Sequence, residues 1–276
     1  MRIQHVIDDV VAATPRATWS ISVTGQPGAD AGHHADRQLS TASIGKILLL
    51  IEAARQIENK TLDPQEPLRK DPELAVADSG LWQHLTVDTL PVADVAVLIA
   101  GVSDNYATNV LLDRIGLNPV ANLARMLKLQ HTSLNDRVRG QRAPHHPPRL
   151  SNGSARELAG LMHQTAHRKL ISPSVSEQLD RWLATNVDLS MVASGFNLDP
   201  LAHVEPDRGY LLRNKTGTDN GIRADIGYLT KDTTRLAYAV LANWDAKVHD
   251  STDDVMTAMS SIGSALPGSP SLTCKC

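Results

Sequence analysis

The chain has 276 residues, with 27 lysines and arginines against 30 aspartates and glutamates, a formal charge of −3. That length supports one large domain or two lobes with a sizeable core. The charge balance excludes a general basic field for nucleic acid, and 3% aromatic residues are too few for a base-stacking platform. No apolar run approaches the roughly 18–20 residues that span a bilayer. The opening, Met1 to Val10, is amphipathic with Asp8 and Asp9 and does not read as a secretory signal. The expectation is a cytoplasmic protein as written, or a secreted or periplasmic one if the chain has been trimmed. The two cysteines, Cys274 and Cys276, sit in the tail and are too few for a disulfide framework; they read as reduced or incidental.

In chain order, residues 2–13 place Ile3, Val6, Ile7, Val10 and Val11 on one helical face. Ala17 to Thr24 alternates as a strand, and Gly25-Gln26-Pro27-Gly28 is a turn. His33-His34 falls in a loop, where a surface pair outweighs a metal site. The polar run Ser40-Thr41-Ala42-Ser43 passes at once into the apolar Ile47 to Ile51, which predicts a helix from Ser43 to about Asn59. Ser43 and Lys46, three residues apart, share a face of its first turn, where free backbone N–H groups suit a developing negative charge.

Residues 60–90 are loop-rich, with Asp78 to Trp82 as a tight turn beneath the Ser43 helix. Val92 to Ile99 predicts a short buried helix ending near Gly101, and a second runs from Ser103 to Ile115. Asn118 caps a third, Pro119 to Leu127, with proline at its first position. Residues 130–150 are irregular and rich in Arg, His and Pro. Ser154-Ala155-Arg156-Glu157 and Ser174-Val175-Ser176-Glu177 read as capping boxes opening helices to about His167 and to Leu183. His163 and His167 stand at i, i+4 like half a zinc site, but Gln164 replaces the glutamate that a zinc hydrolase would use. Both are read as surface residues and no metal is expected. Residues 209–216, 223–230 and 235–242 read as strands and 251–264 as a closing helix. Strands at both ends with helices between predict an α+β fold, an antiparallel sheet built by both termini and flanked by terminal helices.

Ser43-x-x-Lys46 alone fits an N-cap serine with a solvated lysine. A phosphate loop fails, because Ser40 stands where its first glycine is due and Ile47 follows the lysine. Ser103-Asp104-Asn105 and Lys215-Thr216-Gly217 follow in order. With these three motifs the chain resembles the serine acyl-enzyme family of class A β-lactamases and penicillin-binding proteins over nearly its whole length. The resemblance implies a sheet lobe of residues 1–39 and 196–276, an inserted all-helical lobe of 40–195, and a site in the cleft between them.

It also implies roles. Ser43 is the nucleophile, and Lys46 takes part in its activation; burial and the neighbouring Lys215 cation would lower the Lys46 pKa. Ser103 relays a proton to the leaving nitrogen. Asn105 holds Lys46 and the substrate amide. Lys215 and Thr216 meet the substrate carboxylate, and Gly217 lets the strand edge lie close to the substrate. Ser43 N–H and Thr218 N–H form the oxyanion hole. Arg223 is either a second carboxylate clamp or a surface strand arginine, and Asp225 supports the strand. The implied partner is a small-molecule substrate, a β-lactam or related amide or ester, and the implied state is a monomer, with no cofactor, nucleic acid or membrane span.

One family element is missing. Class A β-lactamases carry a Glu-x-x-Leu-Asn segment whose glutamate activates the deacylating water. Here Leu134-Asn135-Asp136-Arg137 resembles the entry to that segment, but Val138 or Arg139 holds the glutamate's place, and no glutamate occurs between Glu73 and Glu157. Acylation of Ser43 is therefore expected, with slow or altered hydrolysis. Asp136, His145, His146 and Lys46 itself are the substitutes weighed as water activators. The alternatives are a penicillin-binding, DD-peptidase or esterase-type enzyme, or a non-catalytic binding protein on the same fold.

Overall fold

A computed structural model describes residues 2–25, 30–201, 206–232 and 234–266. Cys274, Cys276 and most of the Gly25 to Gly28 turn lie outside these. Helix α1 (Arg2–Ala13) leads into strands β1 (Thr18–Thr24), β2 (Ala31–His33) and β3 (Leu39–Ser40). A 3-10 turn, Ala42–Gly45, opens α2 (Lys46–Glu58). The loop-rich stretch holds a small hairpin, β4 (Pro67–Arg69) with β5 (Thr89–Pro91). Helices α3 (Val92–Val102), α4 (Asn105–Ile115) and α5 (Leu117–Met126) follow. Then come β6 (Ser133–Leu134), β7 (Ser151–Gly153), α6 (Ala155–Ala166), α7 (Pro173–Leu183) and a 3-10 helix, Val192–Phe196. Strands β8 (Leu211–Asp219), β9 (Ile222–Lys231) and β10 (Thr234–Asn243) and helix α8 (Thr252–Ala265) close the chain. None of the described helices is long and apolar enough to cross a membrane.

The main sheet has the order β2-β1-β10-β9-β8 and is antiparallel throughout. Its hinge in sequence is the pairing of β1 with β10, Thr18 opposite Asn243 through Thr24 opposite Ala237. The α+β expectation holds, with both chain ends in one sheet. Period-two alternation divides β10 between two cores. Tyr238 and Val240 join Trp19, Ile21 and Val23 beneath α1 and α8. Ala237, Ala239 and Leu241 join the other core with Leu158, Leu161 and Met162 of α6. Helix α6 thus covers the second face of the sheet instead of packing only among helices.

Helix α2 is the centre of the larger core. Ile47, Leu48, Leu49, Leu50 and Ile51 are all fully buried, so the run is apolar around its whole circumference. Its one buried carboxylate, Glu52, is held by Arg55 and Gln56.

Several helix starts differ from expectation. The α4 cap is Asp104, whose side chain accepts from Ala107 N, while Ser103 is the left-handed C-cap of α3 at φ 55°. Helix α5 begins at Leu117, two residues before Pro119. Helix α7 is capped by Ser172, with Pro173 at its first position, not by Ser174. Ser154 caps α6 as expected, but Glu157 accepts from Gln130 N and His131 N instead of closing a capping box.

Candidate active site

The site begins at a strained corner. Ala42 has φ 47°, a left-handed conformation that a side chain disfavours. Ser151 holds it: its hydroxyl donates to Ala42 O at 2.6 Å and stands 2.8 Å from Thr41 Oγ1, which must then be the donor of that pair. The corner turns Ser43, half-buried, into the cleft at the start of α2. The adjoining edge of the sheet is β8, whose outer side carries no strand partner among the described residues. A Cβ on Gly217 would collide with Thr41 O and lie 3.1 Å from Ile44 N. The glycine is therefore needed where the strand passes the nucleophile's own turn, not only beside a substrate as the sequence suggested.

Lys46 Nζ is fully buried and donates to Ser103 O at 2.6 Å, Asn105 Oδ1 at 2.7 Å and Ser103 Oγ at 3.3 Å. Lys215, also fully buried, donates to the same Ser103 Oγ at 3.0 Å and to Thr216 O at 3.1 Å. Three motifs separated by 57 and 112 residues thus meet at one hydroxyl. Among the described residues no hydrogen bond joins Ser43 Oγ to Lys46 Nζ; the amine is turned toward the α3–α4 connection. Burial, and then repulsion from Lys215, hold the Lys46 pKa well below the lysine range, against the opposing pull of Asp104 and Asp78. Burial also brings Lys215 down to about 8, opposed by Asp188 and Asp225.

The cleft has a volume of about 180 Å³ and is lined by Ser43, Ser79, Ser103, Asp188, Thr216 and Thr218, among others. Asp188 carries no motif in the sequence, and only its place in the fold reveals it. Its Oδ2 accepts from Thr216 Oγ1 at 2.6 Å, and its Oδ1 accepts from Ser190 N and Oγ. Asn186 and Asn214 both donate to its backbone carbonyl.

Arg223, opposite Thr218 in the β8–β9 register, donates to Asp219 O and Ile222 O and lies over the Trp244 ring at 5.7 Å. It does not line the cleft. Asp225 is fully buried, accepts from Ala193 N, Asn214 Nδ2 and Tyr238 Oη, and has its pKa raised by burial to about 7.

Residues 131–150 contribute nothing to the lining of this cleft. Asp136 is buried and bound to Arg139 at 2.7 Å and Arg142 at 2.6 Å. Val138 is fixed through both backbone groups by the Asn109 side chain. His146 Nδ1 accepts from Ala143 N, and His145 is exposed. Among the described residues no cluster of three or more His, Cys, Asp or Glu could hold a metal; His167 Nδ1 faces the His163 carbonyl.

The comparisons agree with this architecture. The model of the β-lactamase enzyme family matches residues 2–267. A β-lactamase from Sphaerobacter thermophilus superposes with TM-score 0.81 at 22% identity, covering 94% of each chain. PBP-A gives TM-score 0.80 at 20% identity, with 95% of this chain and 93% of that one covered. A variant of the class A β-lactamase of the last common ancestor of Gram-negative bacteria gives 0.79 at 18%, covering 96% and 97%. No curated protein matches in sequence. A family match over nearly the whole length, on a fold that sets two buried lysines against Ser103 in the cleft lined by Ser43, leads to one conclusion: this chain belongs to the β-lactamase enzyme family.

Proposed function

We propose that the protein is a serine hydrolase of the class A type that forms an acyl-enzyme at Ser43 and hydrolyses β-lactam-like amides or esters slowly. The observation that carries this reading is the shared contact of Lys46 Nζ and Lys215 Nζ with Ser103 Oγ, in the cleft that holds Ser43. A binding scaffold has no need to bury two amines against one hydroxyl, because each loses hydration without a full counter-charge.

In the proposed step, neutral Lys46 takes the Ser43 proton and Oγ attacks the substrate carbonyl. The oxyanion meets Ser43 N–H and Thr218 N–H. The carbonyl C–N bond breaks, and the Ser103 hydroxyl passes its proton to the leaving nitrogen, regaining one from Lys46. Once Lys46 holds the Ser43 proton, Ser103 Oγ accepts from both Lys46 and Lys215 and its own proton is free for the leaving nitrogen, which is the orientation this relay needs. Asn105 fixes Lys46, and Thr216 with Lys215 orients the substrate. Hydrolysis of the ester needs a water activator. The glutamate is absent, and Asp136 is neutralised by two arginines. Lys46 is the proposed base for both steps, and the adduct is expected to be long-lived. A single-substitution variant of PBP-A is recorded as an acyl-enzyme complex with penicillin G, which makes a penicillin-binding outcome the second reading. The proposed working unit is a monomer of the two lobes expected from the sequence, residues 1–39 with 196–276, and 40–195, with α6 of the second lobe packed on the sheet of the first.

Incubation with a chromogenic cephalosporin or a fluorescent penicillin, followed by intact mass, tests this. A single adduct on Ser43, absent in Ser43→Ala, is expected. A persistent adduct marks a penicillin-binding type, and repeated turnover marks a lactamase or esterase. Wild type and Ser43→Ala behaving alike would defeat the enzyme reading.

A further inference from the structure

We propose that Asp188 fills the anion subsite of Lys215 and Thr216 with the chain's own carboxylate, so that the enzyme prefers acyl substrates bearing a neutral or ammonium group there over carboxylate-bearing ones. This deepens the acyl-enzyme reading and rests on it.

Thr216 has one hydroxyl proton, and it is given to Asp188 Oδ2 at 2.6 Å. A ligand carboxylate seeking that proton would have to lie against Asp188 itself, like charge against like. Asp188 is not a side chain free to swing away. Ser190 N and Oγ hold Oδ1, and Asn186 and Asn214 hold the backbone carbonyl. The nearby cations offer little compensation. Lys215 gives two of its three protons to Ser103 Oγ and Thr216 O, and its charge is already faced by Asp188. Arg223 is turned to the β8–β9 turn carbonyls and to Trp244. An amide N–H, hydroxyl or ammonium on the substrate would instead find an acceptor in Asp188.

The test compares second-order rates of Ser43 acylation by benzylpenicillin, its methyl ester and a neutral fluorophosphonate, read by intact mass. Wild type, Asp188→Asn and Asp188→Ser are compared, with Ser43→Ala as the blank. The acid-to-ester rate ratio is expected to rise at least about tenfold in both Asp188 variants, because a like-charge contact is removed. A ratio within about twofold of wild type, or a lower one, overturns the assignment. If neither variant folds, wild type alone decides: the ester reacting at least as fast as the acid supports the proposal, and a preference of about tenfold or more for the acid ends it. Fluorophosphonate labelling with an unchanged ratio removes only the Asp188 assignment. Failure of all three probes at Ser43 removes the acyl-enzyme reading and this assignment with it.

Discussion

At the residue scale the chemistry depends on two buried amines being in different protonation states. Lys46 is pushed well below the lysine range by burial and by Lys215. Lys215 is held at about 8, and its proton is the positive charge left in the site. The sign follows from the roles. Acylation grows as pH rises through the depressed Lys46 pKa, because its neutral form is the base, and falls as Lys215 loses its proton near pH 8. A bell-shaped acylation profile with an alkaline limb near 8 is expected. In Lys215→Arg that limb should move upward, since a guanidinium does not titrate there; stopped-flow acylation across pH checks this. A limb unmoved in the arginine variant would assign it elsewhere. Lys46→Ala should lower acylation by roughly 10²–10⁴, the usual worth of general-base help, while the fold persists by circular dichroism. Ser43, Lys46, Ser103 and Lys215 were all legible because each stands in a short motif. Asp188 was not, because an isolated aspartate in the loop after an amphipathic helix has no local pattern. Its meaning comes only from Thr216, 28 residues away.

At the scale of elements, the α3–α4 connection sets the geometry. Ser103 sits in a left-handed cap, which turns both its carbonyl and its hydroxyl toward Lys46. Asp104 secures the turn, since its carboxylate accepts from Ala107 N, Leu81 N and Trp82 N. Asp104→Ala leaves three N–H groups without their acceptor and should cost about 2–4 kcal/mol, measurable by urea unfolding. Acylation should fall along with it, because Ser103 loses its frame. Sequence reading found this helix start and its motif but put the boundary at Ser103. Helical periodicity marks the apolar face and cannot tell a C-cap from the N-cap that follows it. The 131–150 segment is a similar case. Its composition announced irregular structure, whereas the closure of Asp136 on Arg139 and Arg142 is a matter of side-chain reach. Asp136→Asn weakens a buried carboxylate shared by two guanidiniums and is expected to cost on the order of 1–3 kcal/mol. Rapid proteolysis confined to this segment, with the Ser43 adduct still formed, would show that the loop supports the fold more than the first chemical step.

At the scale of the molecule, the site is an expense to folding, and its pH dependence should show this. Lys215 lies at about 8 folded and 10.5 unfolded, so between those values the unfolded chain binds more protons and stability rises with pH. Asp225 works in the other direction over a different window. At about 7 folded against 3.8 unfolded, it keeps its proton longer in the native state, so stability falls as pH rises from 4 to 7. Thermal unfolding of wild type relative to Lys215→Met should therefore show a difference that shifts in favour of wild type from pH 8 to 10. A flat difference would mean that Lys215 is not held in a low-pKa state by the fold.

The sequence by itself determined the elements and the chemical vocabulary. The apolar run of α2, the alternation of β1 and the three motifs are local patterns, and local patterns are what a linear reading can detect. The tertiary structure decided which groups meet. It set the pairing of β1 with β10, the burial of α6 against the sheet, the convergence of two lysines on Ser103, the withdrawal of Arg223 to Trp244 and the arrival of Asp188 at Thr216. These contacts join residues tens to hundreds of positions apart. They exist only once burial of the apolar faces has fixed the register of the sheet and the position of α2, and short-range spacing carries no record of that.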